Sequence, residues 1–137
     1  SGLLDQSEGG LAALEEALTL MEQTGEQYYE AELHRQRGEL LLLRAEKSHP
    51  AQSSGELHDA ETCFQHALDV ARRQEAKALE LRAATSLARL WRRQGKRAAP
   101  HALLAPIYRW FTEGFDTADL QEAGALLDDL SSARLLT

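Results

Sequence analysis

Apolar positions recur along this chain with the 3.6-residue period of amphipathic helices. Leu11, Leu14, Ala17, Leu18 and Met21 form one stripe, and Leu33, Leu40, Leu41 and Leu43 form a second. Between them, Gly25 suits the left-handed residue that stops a helix, and Thr24 and Gln27 have the spacing of a capping box. Lys47-Ser48-His49-Pro50-Ala51-Gln52-Ser53-Ser54-Gly55 collects turn-forming residues and predicts a long loop. A third helix is expected from about Glu56 to Gln74, with Ser54 as its N-cap. Leu79, Leu81, Ala84, Leu87, Ala88 and Trp91 mark a fourth, ending at Gln94-Gly95. The fifth starts near Ala98 with Pro100 in its first turn, and Pro106 is expected to kink or interrupt it. Asp116 or Thr117 caps a sixth, which runs to about Leu130. The pattern predicts an all-α fold: antiparallel helical hairpins at about 9–47, 55–95 and 97–132, with a loop insertion at 47–55.

Composition supports helices over sheet. Ala, Leu, Glu, Arg and Gln dominate, and they lose little side-chain freedom in a helix. Val70 and Ile107 are the only valine and isoleucine. A formal net charge of -7 opposes general nucleic-acid binding, because phosphate repulsion would have to be overcome. No apolar run approaches the roughly 18 residues that predict a membrane span. Cys63 is the only cysteine, so no internal disulfide forms, and a cytoplasmic location is expected. The start, Ser1-Gly2-Leu3-Leu4-Asp5, lacks the basic stretch of a signal peptide, and the chain reads as part of something longer.

The stripes also repeat. A shift of 50 lays Leu14, Ala17 and Met21 on Phe64, Ala67 and Ala71, and lays Gly38 and Leu41 on Ala88 and Trp91. It also lays Gly25 on Glu75, where a glycine would be expected. A shift of 40 lays Ala60, Phe64 and Ala67 on Pro100, Leu104 and Ile107. Small residues thus recur where two helices must approach closely, and large ones where the next pair must be filled.

On Gly38, Leu41 and the run Ala60-x3-Phe64-x2-Ala67, residues 10–112 resemble the tetratricopeptide-repeat family. The second copy keeps Ala88, Trp91 and Gly95, with Pro100 in place of an alanine. Helices longer than the roughly 34-residue unit allows look like the variant in large bacterial signalling ATPases and transcription activators. Gly38-Glu39-Leu40-Leu41, the run from Ala83 to Trp91, and the run from Trp110 to Leu120 are similar to a narrower group. These are the C-terminal repeat regions of bacterial predicted ATPases fused to adenylate or guanylate cyclase domains. The resemblance implies a right-handed superhelix and a regulatory, protein-binding role, with Thr137 near the natural C-terminus. It also implies a concave groove lined by Glu32, Arg35, Glu39, Arg82, Thr85, Arg89, Arg92 and Arg93. The partner would be a protein segment or a neighbouring domain of the same chain. The alternative is a small-molecule effector bound in that groove.

Candidate chemistry is sparse. Gly9-Gly10 lacks the lysine and hydroxyl residue of a phosphate-binding loop, and no nucleophile, base and orienter converge. The chain is therefore read as no enzyme, with no cofactor. Asp59, Cys63 and His66 share a helical face at metal-ligand spacing, although a surface stripe with Cys63 tucked near the hairpin seam is the plainer reading. His34 and Arg37 invite a ligand role or a simple inter-helix hydrogen bond. Trp91, Trp110, Phe111 and Phe115 suggest an aromatic pocket, or core packing. Arg89, Arg92, Arg93, Lys96 and Arg97 crowd the end of the fourth helix, and Asp116, Asp119, Glu122, Asp128 and Asp129 crowd the last. Two outcomes follow: an arginine-lined groove open to an acidic peptide segment, or arginines neutralised within the fold by Glu122 and Asp129.

Overall fold

The computed structural model describes residues 3–24, 29–111 and 117–136. Among them it holds six helices and no strand: α1 (Leu3–Thr24), α2 (Glu30–Lys47), α3 (Pro50–Arg73), α4 (Lys77–Arg93), α5 (Ala98–Trp110) and α6 (Ala118–Leu136). No described helix is long and apolar enough to cross a membrane. Gly25 and Gln27 of the expected first turn lie outside the described residues, as do Gly114, Phe115 and Asp116.

The loop expected at 47–55 is not a loop. Only Ser48 and His49 link α2 to α3, both in extended backbone, and Pro50 opens α3 as its first helical residue. An extended His49 is what the following proline ring demands, and the proline lacks only an N–H that a first turn leaves unpaired anyway. Residues 50–55, most of the expected insertion, are thus absorbed as extra turns of α3. Ser54 lies inside the helix and is no cap. Pro106 likewise fails to interrupt α5, which runs on to Trp110. Both Pro106 and Ala102, whose carbonyl loses its helical partner, face solvent, so water satisfies the freed group. Thr117 caps α6 as expected: its Oγ1 accepts from the Leu120 amide at 3.3 Å.

Two helix ends close alike, twenty residues apart. The Ala76 amide donates to Ala71 O at 2.9 Å and Glu75 to Arg72 O at 3.1 Å; Lys96 donates to Trp91 O at 3.0 Å and Gly95 to Arg92 O at 2.9 Å. This Schellman closure needs a left-handed residue. Gly95 supplies it at φ 87, whereas Glu75 holds φ 55 with a side chain. A left-handed conformation costs an ordinary residue roughly 1–2 kcal/mol. Glu75→Gly should therefore raise the urea midpoint, by about 1 kcal/mol of stability. An unchanged or lowered midpoint would show that Glu75 carries no such strain.

Each helix packs on its chain neighbours, and the most extensive seam is α2 on α3, across the boundary between the first two expected hairpins. In addition, α2 packs on α4 and α4 on α6, while the backbones of α1, α3 and α5 stay apart from one another. The α2–α4–α6 side is thus the tighter one. Close approach is made possible by small residues: Ala60, Ala67, Ala71, Ala84, Ala88 and Ala123 are fully buried. At Gly38 the fit is closest, since a Cβ there would stand 2.5 Å from the Phe64 ring. One main core runs through the molecule, from Leu11 and Leu41 past Phe64, Leu87 and Leu104 to Leu120 and Leu130.

Candidate functional site

The tight side gathers most of the expected groove residues. Arg35, Arg82, Thr85 and Arg89, with Asp119 and Glu122 from α6, line a polar recess of about 50 Å³. Its anchor is Glu32, a buried carboxylate on α2. Arg35 Nε donates to both Glu32 oxygens at 3.1 Å, and Arg82 Nη1 reaches Oε1 at 3.0 Å from α4. Arg35 also donates to Ser86 Oγ at 3.3 Å. Burial works against the charge on Arg35, but the Glu32 carboxylate outweighs it and raises the pKa above the usual arginine value. Glu39 adds to the same field. The Thr85 hydroxyl is turned to its own helix, donating to Leu81 O at 2.7 Å.

From α4 the pairing continues to α6. Arg82 Nε lies 3.6 Å from Asp119, Arg89 Nη2 3.1 Å from Glu122, and Arg92 Nη1 2.9 Å from Asp129. Arg97 shares Asp129 at 3.7 Å, while Arg93 reaches Glu46 of α2 at 3.5 Å. Lys96 is placed 5.5 Å from the centre of the Trp91 ring. Of the two outcomes expected for these arginines, the contacts are those of the internally paired one, with Arg89 on Glu122 and Arg92 on Asp129. The arginines are already matched by α2 and α6 carboxylates, which leaves no excess positive charge to attract an acidic segment. Asp119 and Glu122 stand three residues, just under one turn, apart along α6, and their partners Arg82 and Arg89 stand seven residues, about two turns, apart on α4.

The expected stripe of Asp59, Cys63 and His66 does not converge as a ligand set among the described residues. Cys63 is buried and takes a hydrogen bond from Arg37 Nη1 at 2.8 Å, and Arg37 Nε lies 3.5 Å from Glu15. Burial raises the thiol pKa, with Arg37 only partly offsetting it, so this is an inert packed cysteine rather than a nucleophile. His66 instead stacks on His34 of α2, ring centroids 3.9 Å apart at 21°. Burial lowers the His34 pKa, and His66 lowers it further, against the opposing pull of Glu30. Neither histidine's sequence context reveals this pairing, because it is created by the α2–α3 seam.

Among the described residues, Trp91, Trp110 and Phe111 do not line one pocket, and Phe115 lies outside them. Trp91 packs against the main core together with Phe111, as the core reading expects. Trp110 is 56% exposed, meets Phe111 edge-on at 5.1 Å, and carries Lys77 Nζ at 5.3 Å from its ring. A larger recess of about 320 Å³ lies between α5 and α6, lined by His101, Ala105, Tyr108, Arg109, Leu127 and Asp128 among others. Gly124 makes room there for Tyr108, since a Cβ would stand 2.9 Å from the phenol oxygen. No protein-family model matches the chain, and no curated protein or solved structure matches it.

Proposed function

We propose that this chain is a non-catalytic, tetratricopeptide-like relay and interaction module of a larger regulatory protein, of the kind built around an ATPase or a nucleotide cyclase. One observation carries the reading. A continuous run of ion pairs joins α2 to α4 through Glu32 and Arg82, and α4 to α6 through Arg89–Glu122 and Arg92–Asp129. The exposed α4–α6 pairs contribute little each, about 0–1 kcal/mol. Their value lies in register: a shift of one helix disturbs the partners of the next. Small, fully buried residues, Ala84 and Ala88 on α4 and Ala123 on α6, leave room for the helices to sit close enough for that coupling. The partner is a neighbouring domain or protein segment that engages one end of this row.

Hydrogen exchange tests the relay. Glu32→Gln removes the central carboxylate charge from α2 while keeping its shape. The expected result is faster amide exchange in α4 and in α6, with the far helix responding although it never touches Glu32. Change restricted to α2 and the facing turn of α4 would make the chain a passive spacer.

A second reading, sensing of a small effector, is favoured by one feature only. The α5–α6 recess of about 320 Å³ reaches the lower end of typical ligand-pocket volumes and combines His101, Arg109 and Asp128 with Leu127. The 50 Å³ recess at the ion pairs is too small for this.

A further inference from the structure

Two imidazoles and a carboxylate come together on the outer part of the α2–α3 seam, and the relay reading does not use them. Glu30 and His34 stand one helical turn apart on α2, with Glu30 Oε1 3.8 Å from His34 Nε2. His66 arrives from α3 and stacks on His34. The donor atoms of all three lie within 4.8 Å of one another. We propose that Glu30, His34 and His66 form a binding site for a divalent transition-metal cation of the zinc class, with water in the remaining coordination positions.

The donor chemistry supports that class. Neutral imidazole nitrogens with one carboxylate suit zinc, cobalt and nickel, whereas magnesium and calcium prefer oxygen throughout. Metal–ligand distances of about 2.0–2.2 Å put donors roughly 3.3 Å apart around a tetrahedral ion. The donor atoms, within 4.8 Å of one another, would draw together by turning the two rings from face-to-face stacking toward a common centre. Glu30 and His34 are partly buried and His66 is exposed, so the ion has an entry path from solvent. The nearest competing cation, Arg37, is directed to Cys63 and Glu15. Because the ligands come from two helices, the ion would cross-link the most extensive seam of the fold.

The test uses the whole chain, free of any histidine tag, at pH 7.5. Zinc and cobalt are titrated by calorimetry, cobalt also by its visible absorption, with magnesium as control. One equivalent of zinc should bind with micromolar affinity and raise the melting temperature by several degrees, and magnesium should do neither. His66→Ala alters an exposed side chain, so its circular dichroism should stay native while zinc affinity falls at least tenfold. His34→Ala should match that loss, Glu30→Gln should show a smaller one, and His101→Ala none. Full affinity retained in folded His66→Ala, or loss of binding on Cys63→Ser instead, would overturn the site. Absence of a one-equivalent zinc isotherm in the unaltered chain would overturn it as well.

Discussion

Truncating Phe64 to alanine is expected to cost about 3–5 kcal/mol, the range for removing a fully buried ring. Phe64 is 0% exposed and lies where α3 meets α2, on the most extensive seam of the molecule. Gly38, which lies against the ring, has no side chain to swing into the void. The melting temperature should fall on the order of 15 °C for a chain of this length. Thermal unfolding followed by circular dichroism checks it. A loss under about 1 kcal/mol would mean that the seam collapses around the cavity, and that the Gly38–Phe64 contact does not hold the helices in place.

The converse change should be nearly as damaging. Gly38→Leu puts a Cβ 2.5 Å from the Phe64 Cε1 atom, closer than real side-chain contacts come. Glycine is a poor helix former, so exposed replacement by leucine would add up to about 1 kcal/mol. Here overpacking prevails, and a net loss of about 2–3 kcal/mol is expected. A coupled variant separates this from a general helix effect. Gly38→Ala should destabilise the chain alone but lose much of its penalty in the Phe64→Leu background, since the shorter side chain leaves room. Additive losses in that double-mutant cycle would refute direct contact as the cause.

The same pair illustrates what was legible beforehand. Gly38 and Phe64 stand out in the repeat as the small and the large residue, and the structure brings them face to face. Helix number and type, the Thr117 cap, the Gly95 stop and the buried alanines all follow from local period and composition. The Lys47–Gly55 segment does not, because three serines and a glycine weigh toward a turn locally. Pro50 can equally open a helix, and the choice is made by the core-facing residues that follow, Leu57 and Ala60. Glu75 shows the same competition, held left-handed by the helix ends it joins.

Apart from residues 50–55, which residues would be helical was thus determined by the sequence itself, since a 3.6-residue apolar period and strong helix formers act within one segment. Which charges would meet was decided only by tertiary packing. Arg89 and Glu122 are 33 positions apart, and nothing local distinguishes an arginine that finds a carboxylate on the next helix from one left in solvent. The crossing of α4 with α6 brings these two within 3.1 Å, the internally paired arrangement of the two that the sequence left open. The approach of α3 to α2, closest where Gly38 meets the Phe64 ring, likewise stacks His66 on His34.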